Sequence, residues 1–106
     1  MSAARFRHRA IQESILRMLD IRFAAVPGLP YLWRHLAYAF ATSIVPYTED
    51  EVRVAVADLV ERGLARVEDT PGTGELPEKG YTITARGRDF YAANCPWGKL
   101  DEFSKA

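Results

Sequence analysis

An α+β fold, mainly α, is predicted by three features of this 106-residue chain. Apolar residues recur at spacings of three and four over separate segments, which is the period of a helix with one buried side. Two short segments, LARVE and YTIT, alternate apolar and polar residues at the period of a strand. Between them DTPGTGELPEKG carries three glycines and two prolines, which end both strands and open a long hairpin tip.

The first helix is expected from about Phe6 to Phe23, where Ile11, Ile15, Met18, Leu19 and Phe23 form a stripe that Leu16 widens. In AAVPGLP, Pro27, Gly28 and Pro30 interrupt the backbone hydrogen bonds and turn the chain. Pro30 suits a first helical turn, because its missing N–H would have no partner there. A second helix follows, burying Leu32, Trp33, Leu36, Ala37 and Phe40 with Arg34 and Tyr38 outward. Pro46 disfavours helix at Val45, so ATSIVPY is a connection.

The third helix carries its own boundaries. Thr48 is the N-cap, Glu51 completes a capping box three residues on, and Gly63 provides the left-handed stop. At 100° per residue Val52, Ala55, Val56, Leu59 and Val60 share one side, leaving Asp50, Arg53, Val54, Ala57, Asp58 and Glu61 opposite. After the hairpin, Thr84 caps a last helix, ARGRDFYAAN, with Phe90 and Tyr91 turned inward. The chain therefore divides into a basic N-terminal arm at 1–10, one folded domain at 11–94 and a tail at 95–106.

Apolar residues at 48% and charged residues at 26% are globular values, which excludes a disordered or fibrous chain. Cys95 has no second cysteine to bridge, and with only His8 and His35 a zinc site of four protein ligands is not expected. The start MSAARFRHRA lacks the apolar stretch of a signal peptide, and the runs FAAV and LAYAFA are too short to cross a bilayer. A soluble cytoplasmic protein without metal or cofactor is expected. Zero net charge conceals polarity along the chain: residues 1–40 carry +4, residues 41–80 carry −5 and the remainder +1.

LVERGLARVE and YTITARGRDF resemble the winged helix-turn-helix superfamily, the first as the end of a third helix running into a wing strand, the second as a wing strand entering a closing helix. The resemblance spans roughly residues 8–94 and implies three helices, a two-stranded wing and a C-terminal helix. AIQESILRMLD, EVRVAVADLVERGL and TITARGRDF also resemble small winged-helix proteins of Mu-like prophages, from which CPWGKLDEF departs. What the superfamily implies is a DNA-binding or transcription-associated protein, with the third helix in the major groove and the hairpin tip on a neighbouring phosphate or minor groove.

The residues fit that role unevenly. Base edges and phosphates call for Arg, Lys, Asn or Gln, and the outward face of the third helix offers Arg53 alone. Glu49, Asp50 and Glu51 stabilise the helix through its dipole by roughly 0.3 to 1 kcal/mol each, yet they occupy the end that would attract a phosphate. In the wing Asp69, Glu75 and Glu78 outnumber Lys79. Positive charge gathers instead at Arg5, Arg7, His8 and Arg9, a candidate arm for phosphates or a minor groove, although a solvated terminus is the commoner fate of such residues. Arg86 and Arg88 extend a basic surface or pair with Asp89 and the wing.

The alternative is an interaction module that uses its acidic third helix and wing, or pairs its basic front with the acidic middle of a second copy. Val54 and Ala57 are candidate partner contacts on the outward face. In the tail Trp97, Leu100 and Phe103 recur every third residue, and burying them would stabilise by about 2 kcal/mol apiece, against the same domain or in a homodimer. Catalysis finds no constellation: GTGEL lacks the lysine of a phosphate loop, His35 reads as structural or superficial, and Cys95 has no basic neighbour to activate it.

Overall fold

The short connections and the strength of the local helix signals dictate the order of elements, and the long-range contacts decide where they end. A computed structural model describes residues 3–44, 46–70 and 78–94. Among these residues the order is α1 (Ala3–Ala25), β1 (Tyr31–Leu32), α2 (Trp33–Ala41), α3 (Glu49–Glu61), β2 (Ala65–Thr70), β3 (Glu78–Ile83) and α4 (Ala85–Asn94). Glu75 of the hairpin tip, and Cys95, Trp97, Leu100 and Phe103 of the tail, lie outside the described residues.

α1 buries Ile11, Ile15, Leu16 and Leu19 completely or nearly so, which is the expected stripe, while Phe23 at its far end remains partly exposed. The helix starts before the predicted Phe6. AARFRHR contains no helix breaker, and the extra turns carry side chains that find partners on α3, so residues 3–10 belong to the helix and do not precede it as an arm. Gly28 takes a φ of +86° in the turn that follows.

Pro30 does not open α2. The two residues after it are extended and form β1, pairing antiparallel with β3 through Tyr31 opposite Tyr81 and Leu32 opposite Gly80. Gly80 makes room for this approach, since a Cβ there would stand 2.6 Å from Pro30 Cβ and 2.8 Å from Thr70 Cγ2. The sheet is thus three-stranded in the order β1-β3-β2, one strand more than the predicted hairpin. A two-residue strand has no periodicity to read, which is why the pattern along the chain did not reveal it. α2 then begins at Trp33 and buries Leu36 and Phe40, with Arg34 and Tyr38 outside as expected.

α3 keeps its predicted ends. Thr48 Oγ1 accepts from the Glu51 N–H at 3.1 Å, the Glu51 carboxylate accepts from the Thr48 N–H at 3.0 Å, and Gly63 follows the helix at a φ of +76°. Val52, Ala55, Val56 and Leu59 join the α1 stripe, Leu36 and Phe40 in one core, completed by Leu64, Ala65, Tyr81, Ile83 and Tyr91. Toward the hairpin tip β2 runs two residues and β3 three residues further than the alternation indicated, ending and beginning with the pair Thr70 and Glu78.

The phrase TITARG closes the domain. Thr84 Oγ1 donates to the Gly63 carbonyl at 2.7 Å and accepts from the Gly87 N–H at 2.9 Å, tying the start of α4 to the end of α3. Gly87 is buried against the Leu64 carbonyl, where any Cβ would overlap. Tyr91 is buried and Phe90 packs partly against the core. Among the described residues no helix is long and apolar enough to cross a membrane.

Candidate nucleic-acid interface

Arg7, His8, Arg9, Arg53 and Lys79 are each found against an acid. Arg7 donates from Nε to Glu51 Oε2 at 2.7 Å and from Nη2 to Oε1 at 2.9 Å, a two-bond fork across 44 residues of chain. Its guanidinium also lies 4.5 Å over the Tyr47 ring and reaches the Pro46 carbonyl at 3.4 Å. The Glu51 carboxyl is lowered to about 2, first by the Arg7 hydrogen bonds and then by the Thr48 N–H, and the Arg7 guanidinium is correspondingly raised. Glu51 therefore has two tasks: it caps α3 and clamps α1 to it.

Two turns further along α3, His8 stands 3.5 Å from Asp58, and Gln12 donates to the same carboxylate at 2.6 Å and to the Ala55 carbonyl at 3.3 Å. The Gln12 bond is the main reason the Asp58 carboxyl is held below its ordinary range. Asp58, expected on the open face of α3, is thus half-buried beneath α1, because a buried Gln12 amide needs an acceptor. Arg9 pairs with Glu13 within α1, and Arg5 borders a cleft between α1, α3 and α4.

The exposed side of α3 and the wing form a second group. Arg53 donates to Glu49 Oε1 at 2.6 Å and lies 4.8 Å over the Trp33 ring at the start of α2. Next to Trp33, Arg34 pairs with Glu78 on β3 at 3.3 Å. Lys79 pairs with Asp69 directly across the wing strands at 3.0 Å. Burial raises the pKa of the Tyr81 hydroxyl, against the opposing influence of the Lys79 and Arg53 charges. Arg34 was read from the sequence only as an outward residue of α2; β1 brings it beside the wing.

Energetics separate the two groups. Exposed ion pairs contribute roughly 0 to 1 kcal/mol, so a phosphate can replace the acid beside Arg53 or Lys79, whose side chains are each 60% exposed, while Arg34 is 50% exposed against a more buried Glu78. Arg7 is 35% exposed, engaged by both carboxylate oxygens and stacked, and is the less exchangeable of the cations. Val54 is 61% exposed beside a shallow pocket of about 270 Å³ shared with His8 and Ile11, and Ala57 is exposed on the same helix.

No family model matches the sequence, and no curated protein matches it. Solved structures do. A protein of Thermoplasma acidophilum assigned to transcriptional regulation superposes with a TM-score of 0.72 at 19% identity, over 92% of this chain and 88% of that one. A PadR-like transcription factor from Bacteroides fragilis gives 0.67 at 18% identity, over 95% and 92%. A PadR family transcriptional regulator from Eggerthella lenta gives 0.66 at 20% identity, over 95% and 83%. Origin in a Mu-like prophage gains no support from these likenesses. At such identities it is the fold that is shared, a mainly helical α+β fold with, among the described residues, four helices and a three-stranded sheet.

Proposed function

We propose that the protein is a small DNA-binding transcription regulator of the cytoplasm that acts by binding and not by catalysis. The observation that carries this reading is the set of exposed cations Arg53, Arg34 and Lys79 spanning α3, the start of α2 and the wing of a winged-helix fold. The likeness to transcription regulators over nearly the whole chain supports it. α3 approaches DNA along its Arg53 side, with Glu49 and Asp69 surrendering their cations to phosphates.

A mobility-shift titration of the full chain with mixed-sequence duplexes tests the reading. Retardation at low salt is expected, declining steeply as salt rises, with a log–log slope that falls by roughly 0.9 for each phosphate contact removed. Replacing Arg34, Arg53 and Lys79 together by alanine should remove the retardation while the circular dichroism spectrum stays unchanged. The second reading, an acidic interaction module, is favoured by the pairing of all three cations with acids and by exposed Glu49, Asp50 and Glu61. Absence of retardation at low salt and high protein concentration would decide for it.

A further inference from the structure

On the side of the molecule where α1 ends, the arginines are held differently. Arg22 lies 4.7 Å over the Tyr31 ring and Arg88 lies 4.3 Å over the Phe23 ring. Among the described residues no carboxylate stands within ion-pair distance of Arg22, Arg66 or Arg88. The distinction is chemical. A guanidinium paired with a carboxylate spends its in-plane N–H donors on that partner, whereas one stacked on a ring is fixed by its face and keeps the in-plane edge available.

These groups surround one cavity of about 440 Å³, between the last turns of α1, the turn at Gly28 and strands β2 and β3. Its volume is within the range of roughly 300 to 1,000 Å³ typical of small-molecule sites. Arg22 and Arg66 line it directly, and Arg88 sits over Phe23, which also lines it. Leu19, Phe23 and Leu29 supply apolar walls, and Thr82 a hydroxyl opposite Arg66 in the strand register. Glu68, two residues from Arg66 on the same strand, adds a single carboxylate to the lining.

We infer that this cavity is a binding site for a small organic monoanion with an apolar body, a carboxylate above all. The anionic head takes the in-plane donors of Arg66 and Arg22. The apolar body lies against Leu19, Phe23 and Leu29. Glu68 disfavours a doubly charged head and favours a ligand that also carries a hydrogen-bond donor. A concave site with apolar walls suits a small molecule better than a duplex, whose phosphates need a convex or open cationic surface. The site stands independently of whether Arg53, Arg34 and Lys79 contact DNA, since none of them lines it.

The test is an NMR titration of the full chain with hexanoate, hexanol and hexylammonium as matched probes. Hexanoate is expected to shift the signals of Leu19, Leu29 and Ile83 saturably, with hexanol and hexylammonium binding at least about ten-fold more weakly, the usual worth of a charge-assisted hydrogen bond. Arg66→Gln, at an exposed strand position, should weaken hexanoate about ten-fold and leave signals outside the cavity in place. Arg22→Gln provides the same reading from the other wall. Equal binding of hexanoate and hexanol would overturn the proposal. So would indifference of hexanoate to both substitutions, or its displacement by a short duplex, which would mark a phosphate-binding surface instead.

Discussion

Glu51 shows how one side chain can join two levels of structure. Its carboxylate accepts from the Thr48 N–H, a contact three residues away, and from Arg7, a contact 44 residues away. Because both partners favour the charged form, its pKa is depressed to about 2 from 4.5. A carboxyl depressed in the folded state contributes stability that is fully present above the unfolded value and is lost as pH falls through the folded one. The contribution should therefore be intact above about pH 4.5 and disappear toward pH 2. Glu51→Gln, which keeps the cap but removes the charge, should be less stable than the parent near neutrality and equal to it by about pH 2, read as thermal melts across that range. A constant gap between the two melting curves would mean that the Arg7 fork contributes nothing to stability. Gly87 acts by volume. Adding a Cβ against the Leu64 carbonyl should destabilise by about 1 to 3 kcal/mol in urea unfolding, the range for overpacking a filled site.

Among the elements, α3 is specified locally and α1 is not. The Thr48 cap and the positive φ at Gly63 fix both ends of α3 regardless of what packs on it. Thr48→Ala should reduce stability by about 1 kcal/mol, measured by chemical denaturation, because two N-terminal N–H groups lose their side-chain acceptors or geometry. The first turns of α1 are held through Arg7, His8 and Gln12 reaching α3. The same contrast holds in the sheet. β2 and β3 are legible as alternating runs, whereas β1 exists because Gly80 lets Pro30 approach and presents an edge for Tyr31 and Leu32 to pair with. At the acidic start of α3, read from the sequence as a barrier to DNA, Glu51 is the docking point for Arg7 and Glu49 holds Arg53 of the same helix.

Across the whole molecule, zero net charge resolves into two kinds of cation. Those on the α3 and hairpin side are neutralised by neighbouring acids, whereas around the cavity at the end of α1 Arg22 and Arg88 are stacked on rings. If the first group meets phosphates, removing its acids should help. Glu49→Gln together with Asp69→Asn should tighten duplex binding by about 2- to 5-fold at low salt, the worth of an exposed pair no longer in competition. Quantitative mobility shifts would show it, and unchanged or weaker binding would place the duplex elsewhere on the protein.

Local rules in the chain determined the helical periods, the capped third helix, the two long wing strands and most of the core. Caps, breakers and apolar spacing act over a turn or two, so they can be read without knowing what is nearby. The partners of Arg7, Asp58 and Arg34, the short first strand and the arginine-lined cavity were decided only by tertiary structure. Each depends on groups brought together from distant parts of the chain, and the energy of an ion pair or a stacked ring depends on that distance and burial, which no local pattern encodes.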